Sequence, residues 1–132
     1  MSLSLARLSL LVPDYDLAIA WCAGALGFVV VEDLPLGEGR RWVVVGPPHG
    51  AGAQIVLAKA VDHIQRAAVG LQGGGRVWLF LNTGDFAAEH ARMQAAGVRF
   101  LEAPRTEAYG TVAVFEDPWG NRWDLIEPSR RV

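Results

Sequence analysis

The chain has 132 residues, 52% of them hydrophobic and 20% charged, and a net charge of −2. That length fits one domain with a core of its own. The composition excludes a disordered chain, and the lack of a basic block argues against nucleic acid as a partner. A single cysteine, Cys22, excludes an intrachain disulfide framework and a thiolate zinc cluster within one chain.

The apolar run Leu8 to Val12 is too short for a signal core or a membrane span, so a cytoplasmic protein with no membrane partner is expected. Arg7 to Val12 reads as a core strand ended by Pro13. Asp14 or Asp16 then caps a helix. Along it Leu17, Ile19, Ala20, Trp21, Ala23, Gly24 and Leu26 place most of their bulk on one side, and Gly27 ends it. Cys22 lies on this helix and reads as a buried, inert thiol. Phe28 to Glu32 is the next strand, Leu34 to Gly39 a turn, Arg41 to Val45 a third strand and Ala53 to Ala58 a fourth. Lys59 to Gly75 is a connector, with a helical turn or two between Val61 and Val69. Its glycine run, Gly73 to Gly75, is followed by no Gly-Lys-Ser/Thr and does not read as a phosphate loop.

Arg76 to Thr83 is a strong strand. Asp85 caps a second helix through Phe86, His90, Met93 and Ala96, and Gly97 ends it. Val98 to Leu101 is a strand and Glu102 to Gly110 a long turn. Thr111 to Glu116 and Arg122 to Ile126 are the last two strands. Between them Asp117-Pro118-Trp119-Gly120-Asn121 has turn chemistry throughout: Asp bonds its own backbone, Pro presets φ, and Gly or Asn accepts positive φ.

The pattern is βαβββ written twice. Asp16 and Asp85 each open a helix, Gly27 and Gly97 each follow one, and Gly46-Pro47 falls where Asp117-Pro118 does, at offsets of 69 to 71. The expected fold class is α+β: two βαβββ modules with a curved mixed β-sheet around a cleft. One domain spans about 5–128, with module 1 at about 5–58, a connector at 59–75 and module 2 at about 76–128.

The chain resembles the vicinal oxygen chelate superfamily, which includes glyoxalase I, bleomycin-resistance proteins and extradiol dioxygenases. The resemblance is carried by Val12-Pro13-Asp14, Ala25-Leu26-Gly27-Phe28, Ala95-Ala96-Gly97-Val98 and Asp117-Pro118-Trp119-Gly120-Asn121, in order and at module spacing. It implies a glyoxalase-like domain and a homodimer. In the metalloenzymes of this group, four strand positions supply the ligands, usually His and Glu. Carried over, they fall on Arg7, on Val56 (Gln54 if the register moves by two), on Arg76 and on Asp124. Arginine has no lone pair to give and valine no donor atom. Asp124, with or without Gln54, is too small a set for Zn, Ni, Fe or Mn. No metal and no cofactor is therefore expected.

Asp124 sits among large apolar neighbours, and a buried carboxylate needs a metal, a cation or a ligand. At the ligand parity Arg7, Arg76 and Asp124 are expected to face one cleft. Two readings stand together: a structural ion pair of Asp124 with one arginine, and an arginine left over for an anionic or carbonyl-bearing ligand. Alternation puts Trp78 and Phe80 on the face of Arg76 and turns Trp123 away from Asp124. Trp78 and Trp42 are stacking candidates for a planar ligand, while Trp21 and Trp123 read as core. His49, His63 and His90 read as lone surface histidines. Glu107, Tyr109 and Glu116 lie at or beside a loop that could serve a cleft mouth.

The function these residues imply is binding of a small planar or anionic molecule in an Arg- and Trp-lined cleft, as in bleomycin-resistance proteins. The ligand-binding set is Arg7, Arg76, Asp124, Gln54, Trp78 and Trp42. One alternative is a metal-dependent lyase, isomerase or dioxygenase of the glyoxalase I type. Another is a degenerate member with an association or regulatory role.

Overall fold

A computed structural model describes residues 2–50 and 52–130, and the chain divides into two units, Met1–Val69 and Gly70–Val132. The first unit runs β1 (Arg7–Val12), α1 (Tyr15–Leu26), β2 (Val29–Gly37), β3 (Arg40–Gly46), β4 (Gln54–Lys59) and a short α2 (His63–Ala68). The second runs β5 (Val77–Asn82), α3 (Phe86–Ala95), β6 (Arg99–Phe100), β7 (Arg105–Glu107), β8 (Gly110–Glu116) and β9 (Arg122–Pro128). The α+β class and the repeated βαβββ order are present, carried in two mixed sheets of four and five strands.

Local chemistry sets the helix ends. Asp14, not Asp16, caps α1, its carboxylate accepting the Leu17 N–H at 2.8 Å. Gly27 follows α1 at φ 69°, and the Gly27 and Phe28 N–H groups return to the carbonyls of Ala23 and Cys22. Asp16 instead pairs with Arg41 at 2.9 Å. The buried side of α1 is Tyr15, Ala18, Cys22, Ala25 and Leu26. Leu17 is exposed, so the side inferred from bulk alone was misplaced: nearly every position of this helix is apolar, and bulk cannot pick out a face. Asp85 caps α3 by accepting the Ala88 N–H at 3.1 Å, and Gly97 follows at φ 88°.

In the first sheet the order is β1-β4-β3-β2, with β1 and β4 parallel and the other pairs antiparallel. Leu10, Val12, Val43, Val45, Ile55 and Leu57 line its buried inner face. The expected turn at Leu34 to Gly39 is shorter than supposed. β2 runs on to Gly37 and only Glu38 and Gly39 turn. β2 is an edge strand, where a proline is tolerated, and a register shift beside Pro35 absorbs it.

The second sheet repeats the plan in the order β5-β9-β8-β6, with β5 and β9 parallel. Here β7 pairs with β8 inside the stretch expected to be a long turn. Its three residues, Arg-Thr-Glu, carry no apolar alternation and gave no strand signal. The core of this unit is Leu79, Phe86, Met93, Ala113, Phe115, Trp123 and Leu125, with the Phe115 and Trp123 rings stacked at 5.7 Å.

Candidate functional site

The Asp117–Asn121 turn is scaffold. Asp117 is 3% exposed. One carboxylate oxygen accepts the N–H groups of Trp119, Gly120 and Asn121 at 2.9–3.1 Å. The other accepts Asn121 Nδ2 at 2.8 Å and Trp123 Nε1 at 3.1 Å. Asn121 Oδ1 in turn accepts the Gln72 N–H at 3.0 Å. Gly70 closes against the same turn, where a Cβ would lie 1.8 Å from the Trp119 carbonyl oxygen. This turn locks Trp123 into the core, and strand alternation then delivers Asp124 to the opposite face of the sheet.

The register defines that face. Asp124 lies between Val114 on β8 and Phe80 on β5. On one side runs a charged row of Arg99, Glu116 and Arg122, in which Arg99 pairs with Glu116 at 2.8 Å. On the other side run Arg105, Val112 and Ile126. Asp124 is only 5% exposed, and its Oδ1 is buried without a hydrogen-bond partner. Phe80 beside it is 62% exposed. A buried acceptor left open on one sheet face next to an exposed aromatic ring is a costly arrangement for folding alone.

A second group of side chains sits along the edge. Glu102 Oε2 accepts the Val114 N–H at 2.9 Å, filling the break in pairing between β6 and β7. Glu102 also accepts Arg105 Nε at 3.0 Å. Arg105 Nη1 donates to Glu107 at 2.9 Å and to the Tyr109 hydroxyl at 3.3 Å. These bonds to Tyr109, Glu102 and Glu107 raise the Arg105 pKa above its ordinary value. Burial pushes the Asp124 carboxyl up; the Arg105 charge pulls it down, and Glu102 pushes it up again.

In the first unit Arg7 and Gln54 are direct partners across β1 and β4. The Arg7 guanidinium lies over the Trp42 ring, 5.9 Å from its centroid, and Trp42 Nε1 donates to Glu32. By register Arg7, Gln54, Val56, Val44 and Trp42 share the face opposite Leu57 and Ile55, on which Val44 is itself fully buried. Three of the expected ligand-binding residues therefore meet on one face of one sheet.

Others depart from expectation. Arg76 is not on a strand; it lies in an exposed bend before β5, so strand parity says nothing about its direction. The β5–β9 register shifts between Val77 and Leu79, which breaks the alternation from Trp78 to Phe80 on which the placement of Trp78 relied. Trp78 Nε1 is buried and without a hydrogen-bond partner. The expected ion pair of Asp124 with one arginine is not formed within this unit among the described residues: Oδ1 is open, and the charges acting on Asp124 are Arg105 and Glu102. His90 is not a free surface histidine. Its ring stacks with Phe86 at 5.3 Å and packs against Phe100 at 4.3 Å.

Glu102 and Arg105 were missed because Glu102 to Gly110 read as a plain turn. The signal was the spacing of Glu102, Arg105, Glu107 and Tyr109, which lets one guanidinium gather three acceptors. The residues do not fit the metal of the fold family. Arg7 and Arg76 cannot ligate, and among the described residues no three His, Cys, Asp or Glu side chains gather as a metal set.

The repeated βαβββ order belongs to a known class. The chain is a member of the Glyoxalase/Bleomycin resistance protein/Dioxygenase superfamily, whose family model matches residues 4–125. It is 46% identical over 128 residues to a protein of Shewanella frigidimarina (strain NCIMB 400), covering 96% of this chain and 95% of that one. Among solved structures it is similar to UcmS2, with 30% identity, a TM-score of 0.83 and coverage of 96% and 99%. It is also similar to TnmS3, an antibiotic binding protein from Streptomyces sp. CB03234, with 31% identity, a TM-score of 0.79 and 98% of each chain covered. No helix among the described residues is long and apolar enough to cross a membrane.

Proposed function

We propose that this chain binds a small planar molecule on the face of the second sheet that carries Asp124. The observation behind this reading is the open Oδ1 of Asp124, buried beside the exposed ring of Phe80. A ligand that fills this position supplies the missing partner and covers an aromatic surface at once. The likeness to an antibiotic binding protein supports a binding role. The Arg7–Trp42 pair of the first unit is a second stacking surface of the same chemical kind.

The same reading carries a cytoplasmic homodimer. It is supported by the exposed apolar side chains of β2, namely Val29, Val30, Val31, Leu34 and Leu36, which are more than a lone surface strand ordinarily shows. The test of function is a thermal-shift screen of planar compounds against the wild-type chain and Phe80→Ala. Hits that stabilise the wild type and lose most of their shift in the variant are expected. Hits that are indifferent to Phe80 and to Asp124→Asn would move the site elsewhere.

A further inference from the structure

We infer that the ligand of the Asp124 face presents a hydrogen-bond donor to Asp124 Oδ1 from a flat apolar body, and is not an anion. The inference rests on the reading of that face as a ligand site and names the chemistry it selects. An ionised carboxylate only accepts. Its open oxygen is buried, so the group that reaches it must bring a donor with it.

Two donor groups beside Asp124 are committed elsewhere, and no protein donor bonds its Oδ1. The Val114 N–H goes to Glu102. Arg105 spends Nε on Glu102 and Nη1 on Glu107 and Tyr109. Local charge points the same way. An ionised Asp124 repels an incoming carboxylate or sulfonate, and of the charges acting on it Arg105 is offset by Glu102. Arg105, which by charge is the natural anion receptor here, is held in place by its own carboxylates. Asp124's direct neighbours Phe80 and Val114 are apolar, which suits a ring and gives no support to a second charged group.

Four probes share one ring and differ in what they offer. 2-(Aminomethyl)naphthalene carries a protonated amine, 2-naphthol a neutral donor, 2-methoxynaphthalene an acceptor alone and 2-naphthoate an anion. Calorimetric titration of the full chain is expected to rank the amine and the naphthol roughly ten- to a hundredfold tighter than the methoxy compound, with naphthoate weakest. Asp124→Leu, which removes the acceptor, is expected to erase the preference for naphthol over the methoxy compound. If that variant does not fold, Asp124→Asn still tests the charge: the amine, whose positive charge pairs with the ionised Asp124 of the wild type, should lose affinity relative to naphthol. Equal binding of all four would overturn the donor requirement while leaving the face as a ligand site. Tightest binding of naphthoate would overturn the inference outright. No binding by any of them would remove the ligand-site reading and the inference with it.

Discussion

Two aspartates seven residues apart in sequence have opposite fates. Asp117 is buried with five hydrogen bonds to its own turn and to Trp123. Asp124 is buried with an acceptor open. Removing Asp117 strips several buried donors of their partner, so Asp117→Ala is predicted to cost at least about 3 kcal/mol in equilibrium unfolding. A loss below about 1 kcal/mol would mean that water or backbone takes over those donors. Asp124 makes stability depend on pH. Burial raises its carboxyl in the folded chain above the ordinary value of 3.8, so the folded state holds that proton more tightly than the unfolded one. Its contribution to stability is therefore most favourable below the ordinary value and falls as pH rises through the folded one. The stability of Asp124→Asn relative to wild type should improve over that interval and level off above it. A relative stability that worsens with rising pH would show that the ionised form is satisfied in the fold.

At the scale of elements, the helix ends were legible because each rests on a local signal. Asp14 and Gly27 bracket α1, and Asp85 and Gly97 bracket α3, as the sequence suggests. The bounds of β1, and to within about two residues those of β5, β8 and β9, followed from apolar runs ended by turn residues. What stayed hidden depends on partners distant in sequence. β7 has no apolar alternation and exists only because β8 offers it a ladder. The bulge at Trp78 comes from pairing with β9, which alternation alone cannot register. Arg7, Gln54 and Trp42 share a face because regular pairing preserves parity, whereas Arg76 lies one residue outside its expected strand. The close approach at Gly70 gives an element-scale prediction. At φ 80° and with a Cβ 1.8 Å from the Trp119 carbonyl, Gly70→Ala must shift backbone. A loss of more than about 2 kcal/mol in urea unfolding is expected. A neutral result would show that the 70–73 segment yields freely.

For the whole molecule, membership of the superfamily fixes the fold and leaves the chemistry to its residues. Arginine cannot ligate a metal, and among the described residues no three His, Cys, Asp or Glu side chains gather as a metal set. Titration with Ni, Zn, Mn or Fe is therefore predicted to leave the melting temperature unchanged, and a stoichiometric stabilisation abolished by Asp124→Ala would reverse the assignment. Light scattering is expected to give two chains per particle, with a monomer at working concentration counting against the homodimer. If Asp124 serves a ligand, it is held at the expense of the fold. Equilibrium unfolding of the wild type and Asp124→Asn at neutral pH tests it most directly. The account predicts a variant at least as stable as the wild type. A loss of about 2 kcal/mol or more would contradict it and make Asp124 a structural residue.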